Sequence, residues 1–558
     1  MMLTIPIMIP KTDEIREMYL RDLQLCEAEH VLIDSLEFFA DGQEREDHLA
    51  LLKKNIAYYK EAGIHPAIWT NTLGWGSERS QTFQKKFSDT TRITSFAGVS
   101  GHAVCPLDEA FTAQMEQNME DYARTGADLI LLDDDLVLSV RPGFSCACAL
   151  HLEEFARRTG RTWTGKEVEA LFTGAPSEYR TAWMDLTGES LMNFCRRLRA
   201  AVDRVDPTVR IGLCASYTHY DMDGFDMKAL LSVLAGEGNR PFMRLSGAPY
   251  WACIAPRFPG QRLSGIAEFV RMQSAWLADT EIELIDENDS YPRDGQIPAK
   301  ICELYDKVML TQSRVGRLKY ILYYGENRDG EMSYLQAHLD NKPHDPKIRE
   351  FFAGKTPVGL RVFCAEHKIR TADLPDTYLG DYPLLQMYAM PYAGSLVALH
   401  GIPTKYTGDG PTVVFGEDAR YLPDALSGQT ILADHTAAVI LNERGIACTE
   451  LDVDTYTVDF TKIPDLLVWL KAAVPALPTV SDGIYLLASE NDSRDELALM
   501  LINDQASDAE AVVVTLHGSY VISDTINCTA KIDGDQLLIG KLASFDFASV
   551  LLKKVSFQ

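Results

Sequence analysis

Short apolar runs alternate with amphipathic stretches from the start of the chain to about residue 355. The runs predict eight strands: Thr4–Pro10, His30–Ser35, His65–Asn71, Asp128–Asp133, Arg210–Cys214, Phe242–Leu245, Glu281–Asp286 and Leu318–Tyr324. Between them, Asp13–Glu29, Leu49–Ala62 and Ser190–Val205 carry apolar residues near a 3.6 period, which predicts helices. Strand–helix alternation implies parallel strands joined by right-handed crossovers. Eight such units fit a (β/α)8 TIM barrel over residues 1–355 better than a doubly wound sheet, which usually has fewer strands.

The pattern then changes. VGLRVF, TVVFG and the helix-like PLLQMYAMPYAGSLVALHGI predict a second, smaller α/β unit over 356–478. It has no glycine-rich phosphate loop, and Cys364 lacks the glycines of a nucleophile elbow, so that thiol reads as structural. From 479 to 558 strand-like runs such as ELALMLIND and AEAVVVTLHGSYVISD predict a C-terminal all-β sandwich.

In a barrel, chemistry sits where strands run out at their C-terminal ends. Those exits carry Trp69, Asn71 and Trp75; Asp133, Asp134 and Asp135; Tyr217, His219 and Asp221; Tyr250 and Trp251; Glu287, Asn288 and Asp289; and Tyr323, Tyr324 and Glu326. Aromatic rings stack on the C–H faces of sugars, while carboxylates and amides bond their hydroxyls. A carbohydrate is therefore the expected partner, although any one aromatic could equally be rim packing.

A net charge of −27 argues against nucleic acid and anionic membranes, which require a basic footprint. MMLTIPIMIPKTDE lacks the basic region of a signal peptide, and no window reaches the length of a membrane span. The eleven scattered cysteines read as reduced thiols, and the expected location is cytoplasmic.

The segment LILLDDDLVLSVRPGFSCACALH, residues 129–151, is the richest in chemistry. Cys105, Cys146, Cys148 and His151 have the residue types and spacing of a closed, structural zinc site that would pin the loops after the third and fourth strands. The rival reading is three buried thiols and a solvent histidine. Retaining glycosidases need two carboxyl groups about 5 to 5.5 Å apart. The fourth strand offers Asp133–Asp135, whose crowding keeps one protonated, and the seventh offers Glu287 at its exit. The aspartates could instead hold a catalytic divalent cation.

With these residues in place the chain resembles glycoside hydrolase family 42, the clan A β-galactosidases. The family's Asp-Asn-Glu run matches Asp133-Asp134-Asp135, so the resemblance implies Asp135 as acid/base. It places Asp134 where the family has asparagine, and Glu287 as nucleophile. Cys105, Cys146 and Cys148 match the family's zinc cysteines, with His151 in place of the last. The resemblance also implies a homotrimer and an amidotransferase-like, flavodoxin-like middle domain. Asp135 stands where a longer glutamate is expected, which sets its carboxyl back by about 1.5 Å.

The expected function is a retaining, exo-acting β-glycosidase, first of all a β-galactosidase. Asp135 and Glu287 would be catalytic, and Asp134, Asn71, Trp75, Tyr217, Trp251, Asn288 and Glu326 would bind sugar. The alternatives are a metal-dependent barrel hydrolase or lyase built on Asp133–Asp135, or a non-catalytic sugar-binding relative.

Overall fold

The computed structural model describes residues 2–36, 41–74, 81–139, 143–216, 219–250, 262–289, 298–323, 328–374, 376, 397–398, 400–426, 428–451, 470–472, 474, 476–481 and 483–555. Eight parallel strands close into a barrel. They are β1 (Leu3–Ile7), β2 (His30–Asp34), β3 (His65–Thr70), β4 (Leu129–Leu132), β5 (Arg210–Cys214), β6 (Phe242–Arg244), β7 (Glu283–Ile285) and β8 (Val315–Leu318). Each pairs with its neighbours in sequence, and β8 closes on β1 through Leu3–Arg317 and Thr4–Leu318.

The two-residue period of a strand decides what each side chain meets. Leu32, Ala67, Trp69, Leu131, Phe242 and Leu318 point inward and fill the barrel. Ile5, Val31, Ile68, Ile130 and Ile211 point outward and pack beneath the helical layer. Strands covered on both faces read as unbroken apolar runs, which is why the sequence shows them so plainly.

Two elements differ from their sequence pattern for identifiable reasons. β8 ends at Leu318, where the apolar pattern begins it. Its outward Arg317 and Lys319 look like solvent residues but are buried, paired with Asp306, Asp345 and Glu303 at 2.8–3.0 Å. The helix predicted from Ser190 begins at Glu178 and runs to Asp203, capped by the Ser177 hydroxyl. Gly188 interrupts its pattern because the backbone of Gly224 passes there; a Cβ would lie 2.3 Å from the Gly224 carbonyl oxygen.

The middle unit is a five-stranded parallel sheet ordered Thr404–Lys405, Leu360–Phe363, Thr412–Val414, Ile431–Ala433, Thr449–Glu450. Most of the helix-like 383–402 lies outside the described residues. Thr356–Val358, read with this unit, instead pairs antiparallel with Tyr485–Glu490. The single run TPVGLRVF therefore serves two sheets, and Gly359 sits at the break with the Pro403 carbonyl oxygen 2.3 Å from where a Cβ would be.

The C-terminal unit is a sandwich of a five-stranded and a four-stranded sheet. One face of the larger sheet (Leu486, Leu499, Val550) meets the smaller sheet, and the other (Leu487, Met500, Phe547) joins the core that runs into the barrel.

The helix Leu263–Trp276, between β6 and β7, joins all three units. Its Glu268 and Arg271 form a buried ion pair. Arg271 donates to the Thr404 hydroxyl and carbonyl at 2.8 and 2.9 Å, while Tyr406 and Tyr485 donate to Glu268 at 2.7 and 2.5 Å. No described helix is long and apolar enough to cross a membrane.

Candidate active site and metal centre

Arg244, the last residue of β6, points into the C-terminal mouth of the barrel and is 2% exposed. A buried guanidinium needs anionic partners. Its Nη2 donates to Asp134 Oδ2 at 2.8 Å, and its Nη1 lies 3.1 Å from Glu287 Oε1 and 3.9 Å from Asp133 Oδ1. The carboxyl groups at the exits of β4 and β7 are thus gathered on one cation. The Tyr250 hydroxyl donates to Glu287 Oε1 at 2.9 Å. Asp133 is held from the other side by Trp69 Nε1 at 3.1 Å and Asn71 Nδ2 at 3.3 Å. Trp69 packs against Tyr320 and Tyr323, with ring centroids 5.7 and 5.8 Å apart, and Tyr323 donates to Asp34. Among the described residues the mouth therefore combines acids, a cation and an aromatic wall.

Its electrostatics follow from burial. Asp134 shows part of its side chain to the mouth, yet burial and the neighbouring Asp133 push its carboxyl well above the usual range, against Arg244. Burial raises Glu287 too, and Asp289 adds to it, while Arg244 and the Tyr250 hydroxyl pull it back. Both carboxyls are thus held above their ordinary range, Asp134 well above it, and a carboxyl that keeps its proton is what a general acid requires.

Cys105, Cys146, Cys148 and His151 are all buried, with ligand atoms within 4.8 Å of one another. Cys105 follows a small hairpin, Arg92–Thr94 with Ser100–Val104, and its N–H bonds the Thr91 carbonyl. Ala147 N–H bonds Thr94 in the same hairpin, which brings the CxC segment alongside. Cys148 caps the helix Ala149–Thr159, which presents His151 one turn later. His151 Nδ1 lies 3.4 Å from both Cys105 and Cys148 sulfurs, and those sulfurs are 3.6 Å apart. A tetrahedral ion with bonds of about 2.1–2.3 Å has ligand–ligand edges of roughly 3.4–3.8 Å. The donors fit a metal ion on that test. Ser190 gives its hydroxyl proton to the Thr187 carbonyl at 2.7 Å and accepts from His151 Nε2 at 3.2 Å. That arrangement leaves the Nδ1 lone pair facing the thiols.

The fold is that of multidomain glycosidases. An α-L-fucosidase isoenzyme from Paenibacillus thiaminolyticus superposes with a TM-score of 0.62 at 10% identity, covering 100% of both chains. A β-galactosidase from Bacillus circulans sp. alkalophilus gives 0.59 at 10% identity over 99% of each chain. A GH42 β-galactosidase gives 0.57 at 10% identity, over 99% of this chain and 98% of that one. No family model matches the sequence, and no curated protein matches it.

Two expected site residues lie elsewhere. Asp135 is 0% exposed. Its Oδ1 accepts from the Thr72 N–H at 2.8 Å and hydroxyl at 2.5 Å, and its Oδ2 from the Gly74 N–H at 2.8 Å. It braces the loop after β3, and its carboxyl faces that loop rather than Glu287. Asn288 follows an inward Glu287, so strand alternation turns it outward; its Nδ2 donates to the Cys302 carbonyl at 2.8 Å in the helix behind. Asn71 is at the mouth but bonded to Asp133. Asp221 leaves the mouth altogether and accepts from the Lys368 and Ile369 N–H groups of the middle unit. Trp75, Tyr217, Trp251 and Glu326 lie outside the described residues, as does Tyr324.

Among Asp133, Asp134 and Asp135, each carboxyl has a different set of partners, so the three do not converge as a cation site would require. Among the described residues, the grouping close enough to share an ion is the Cys105–His151 cluster. Arg244 was missed in the sequence reading although its signal was present: a single cation inside the apolar run FMRL. A charge in a strand buried on both faces requires an anionic partner inside the barrel.

Proposed function

We propose that the chain is a retaining glycoside hydrolase that removes terminal sugars, with Asp134 as acid/base and Glu287 as nucleophile. The observation that carries this is the binding of both carboxyls, from β4 and β7, by the same Arg244 guanidinium. Glu287 attacks the anomeric carbon while Asp134 passes its proton to the departing glycosidic oxygen. The sugar is then esterified to Glu287. Asp134, now a carboxylate, takes a proton from water, the hydroxide displaces Glu287, and both groups return to their starting states. Tyr250 and Arg244 favour the ionised form of Glu287 against the effect of burial and orient it for attack. Trp69, Tyr320 and Tyr323 offer ring faces to the sugar, and Trp75, Tyr217, Trp251 and Glu326 are proposed as further sugar-binding residues.

The first substrate proposed is a β-galactoside, as for two of the structural neighbours, with an α-L-fucoside second, as for the third. Zinc is proposed for the Cys105, Cys146, Cys148 and His151 donors. Four protein ligands leave no open position, so such an ion would act structurally, fixing the loop that follows Asp134 and Asp135. A homotrimer in the cytoplasm is proposed with it; light scattering giving three times the chain mass supports the trimer, and any other mass rejects it.

The test is a screen of p-nitrophenyl α- and β-glycosides followed by NMR of the first-formed product. Retention at the anomeric centre is expected. Inversion would overturn the nucleophile assignment. Sugar binding without turnover on any glycoside would make the chain a non-catalytic relative.

A further inference from the structure

Among the described residues at the barrel mouth, three carboxyls share the positive charge of Arg244. Its Nη2 lies 2.8 Å from Asp134, and its Nη1 lies 3.1 Å from Glu287 and 3.9 Å from Asp133. A buried guanidinium balances one buried anion, and each further anion held out of water is costly. At least one of the three carboxyls therefore keeps a proton, and the donors around them decide which.

Asp133 has donors on both oxygens: Trp69 Nε1 reaches Oδ1 at 3.1 Å and Asn71 Nδ2 reaches Oδ2 at 3.3 Å. That suits a carboxylate, which only accepts. Glu287 has the Tyr250 hydroxyl as well as Arg244. Asp134 accepts from Arg244 on Oδ2, and no other described group donates to it. Its side chain is also 19% exposed, against 10% for Asp133 and 4% for Glu287. A proton there can be reached from the mouth. The charged groups that face Asp134 are Asp133 and Asp135 from its own strand, Arg244 from β6 and Glu287 from the exit of β7. Asp135 is turned to the loop after β3, and burial raises the Cys214 thiol of β5 and the Tyr250 phenol, which stay neutral.

We propose that Asp133 is a positioning residue for the acid step, a negative charge anchored by Trp69 and Asn71 that keeps the proton on Asp134 until the glycosidic oxygen takes it. The proposal rests on the reading of Asp134 as acid/base. Asp133 exchanges no proton in the cycle; Asp134 loses its proton to the leaving group and regains one from water. Burial and the charge of Asp133 hold the Asp134 carboxyl well above its ordinary range against the pull of Arg244, in agreement with this role. Trp69 is then used twice, its N–H for Asp133 and its ring for the sugar.

The test compares pH profiles of kcat/KM for the wild type, Asp133→Asn and Asp134→Asn on phenyl and 2,4-dinitrophenyl glycosides of the preferred sugar. Asp133→Asn should move the alkaline limb on the phenyl glycoside down by about one pH unit or more. Above the displaced limb it should lose about tenfold more rate on the phenyl than on the dinitrophenyl glycoside, whose leaving group departs without a proton. An unmoved limb, or equal loss on both substrates, would overturn the proposal. Asp134→Asn separates it from the reading beneath it. If that variant keeps the limb, the acid assignment fails and both fall. If it removes the limb while Asp133→Asn leaves the limb in place, the role of Asp133 alone falls. Neutron diffraction of the wild-type protein at neutral pH decides the matter if Asp133→Asn does not fold. Deuterium on Asp134 and none on Asp133 is expected; deuterium on Asp133, or on neither, would overturn the proposal.

Discussion

Between Asp134 and Asp135 the chain turns, and neighbouring carboxyls acquire different work. Asp134 faces Arg244; Asp135 is enclosed by the Thr72 and Gly74 donors. Asp134→Asn should lower kcat by about 10²–10⁴ and remove the alkaline limb of the pH profile, because no proton remains to donate. Asp135→Asn should instead lower stability by about 1–3 kcal/mol, read by urea unfolding, because donors in the loop after β3 lose their acceptor. If Asp135→Asn abolished the alkaline limb while Asp134→Asn kept it, the roles would have to be exchanged. Arg244 supplies a second residue-level test. Its charge favours the ionised form of Glu287, so Arg244→Met should move the acid limb of kcat/KM upward by about one to three pH units. An unmoved limb would mean that Arg244 does not set the charge of Glu287.

At the scale of elements, the loop after β4 is tied down twice. The Leu138 N–H and Ser139 hydroxyl bond Asp223 at 2.6 and 2.5 Å, and the Cys146–His151 segment closes on Cys105. Ser190→Ala removes the partner of His151 Nε2 and should weaken binding of the proposed zinc about 10–100-fold in a chelator competition. An unchanged affinity would show that Ser190 does not orient the imidazole. The helix Leu263–Trp276 permits a parallel argument about the joined units. Arg271→Met leaves Glu268 buried without its cation and should cost about 3–5 kcal/mol, read as a lowered thermal midpoint. A midpoint unchanged from wild type would mean that the units are held by apolar packing alone.

These elements also show what the sequence could reveal. The barrel was legible because eight strands buried on both faces leave continuous apolar runs, and the metal donors because CxC, a nearby histidine and a distant cysteine are rare together. The dividing point inside TPVGLRVF was not legible, since its two halves have the same pattern and only tertiary pairing separates them. β8 was displaced because Arg317 and Lys319 find partners more than ten residues away in sequence. Asn288 could have been set aside from alternation alone, once Glu287 was taken as inward.

Over the whole molecule, a barrel with an acidic mouth is braced on its outside by buried ion pairs, and these give stability its own pH dependence. Asp286 is turned away from the mouth, accepts the Leu318 N–H at 2.8 Å and is pushed by burial up to about 8, against that bond. Its unfolded form ionises near 3.8. Between those values the folded chain binds the extra proton, so this contribution is complete below about 4 and is lost as pH rises through 8. Asp286→Asn should flatten the decline of the urea midpoint between pH 5 and 8 relative to wild type; parallel slopes would mean that Asp286 is ionised in the folded protein. The central claim concerns the mouth itself, where Glu287 is proposed to become covalently bonded to sugar. Incubation with a 2-fluoro glycoside of the preferred sugar, followed by peptide mass spectrometry, should give one glycosyl ester per chain, located on Glu287. An ester on any other residue, or turnover without a trapped ester, would contradict the account.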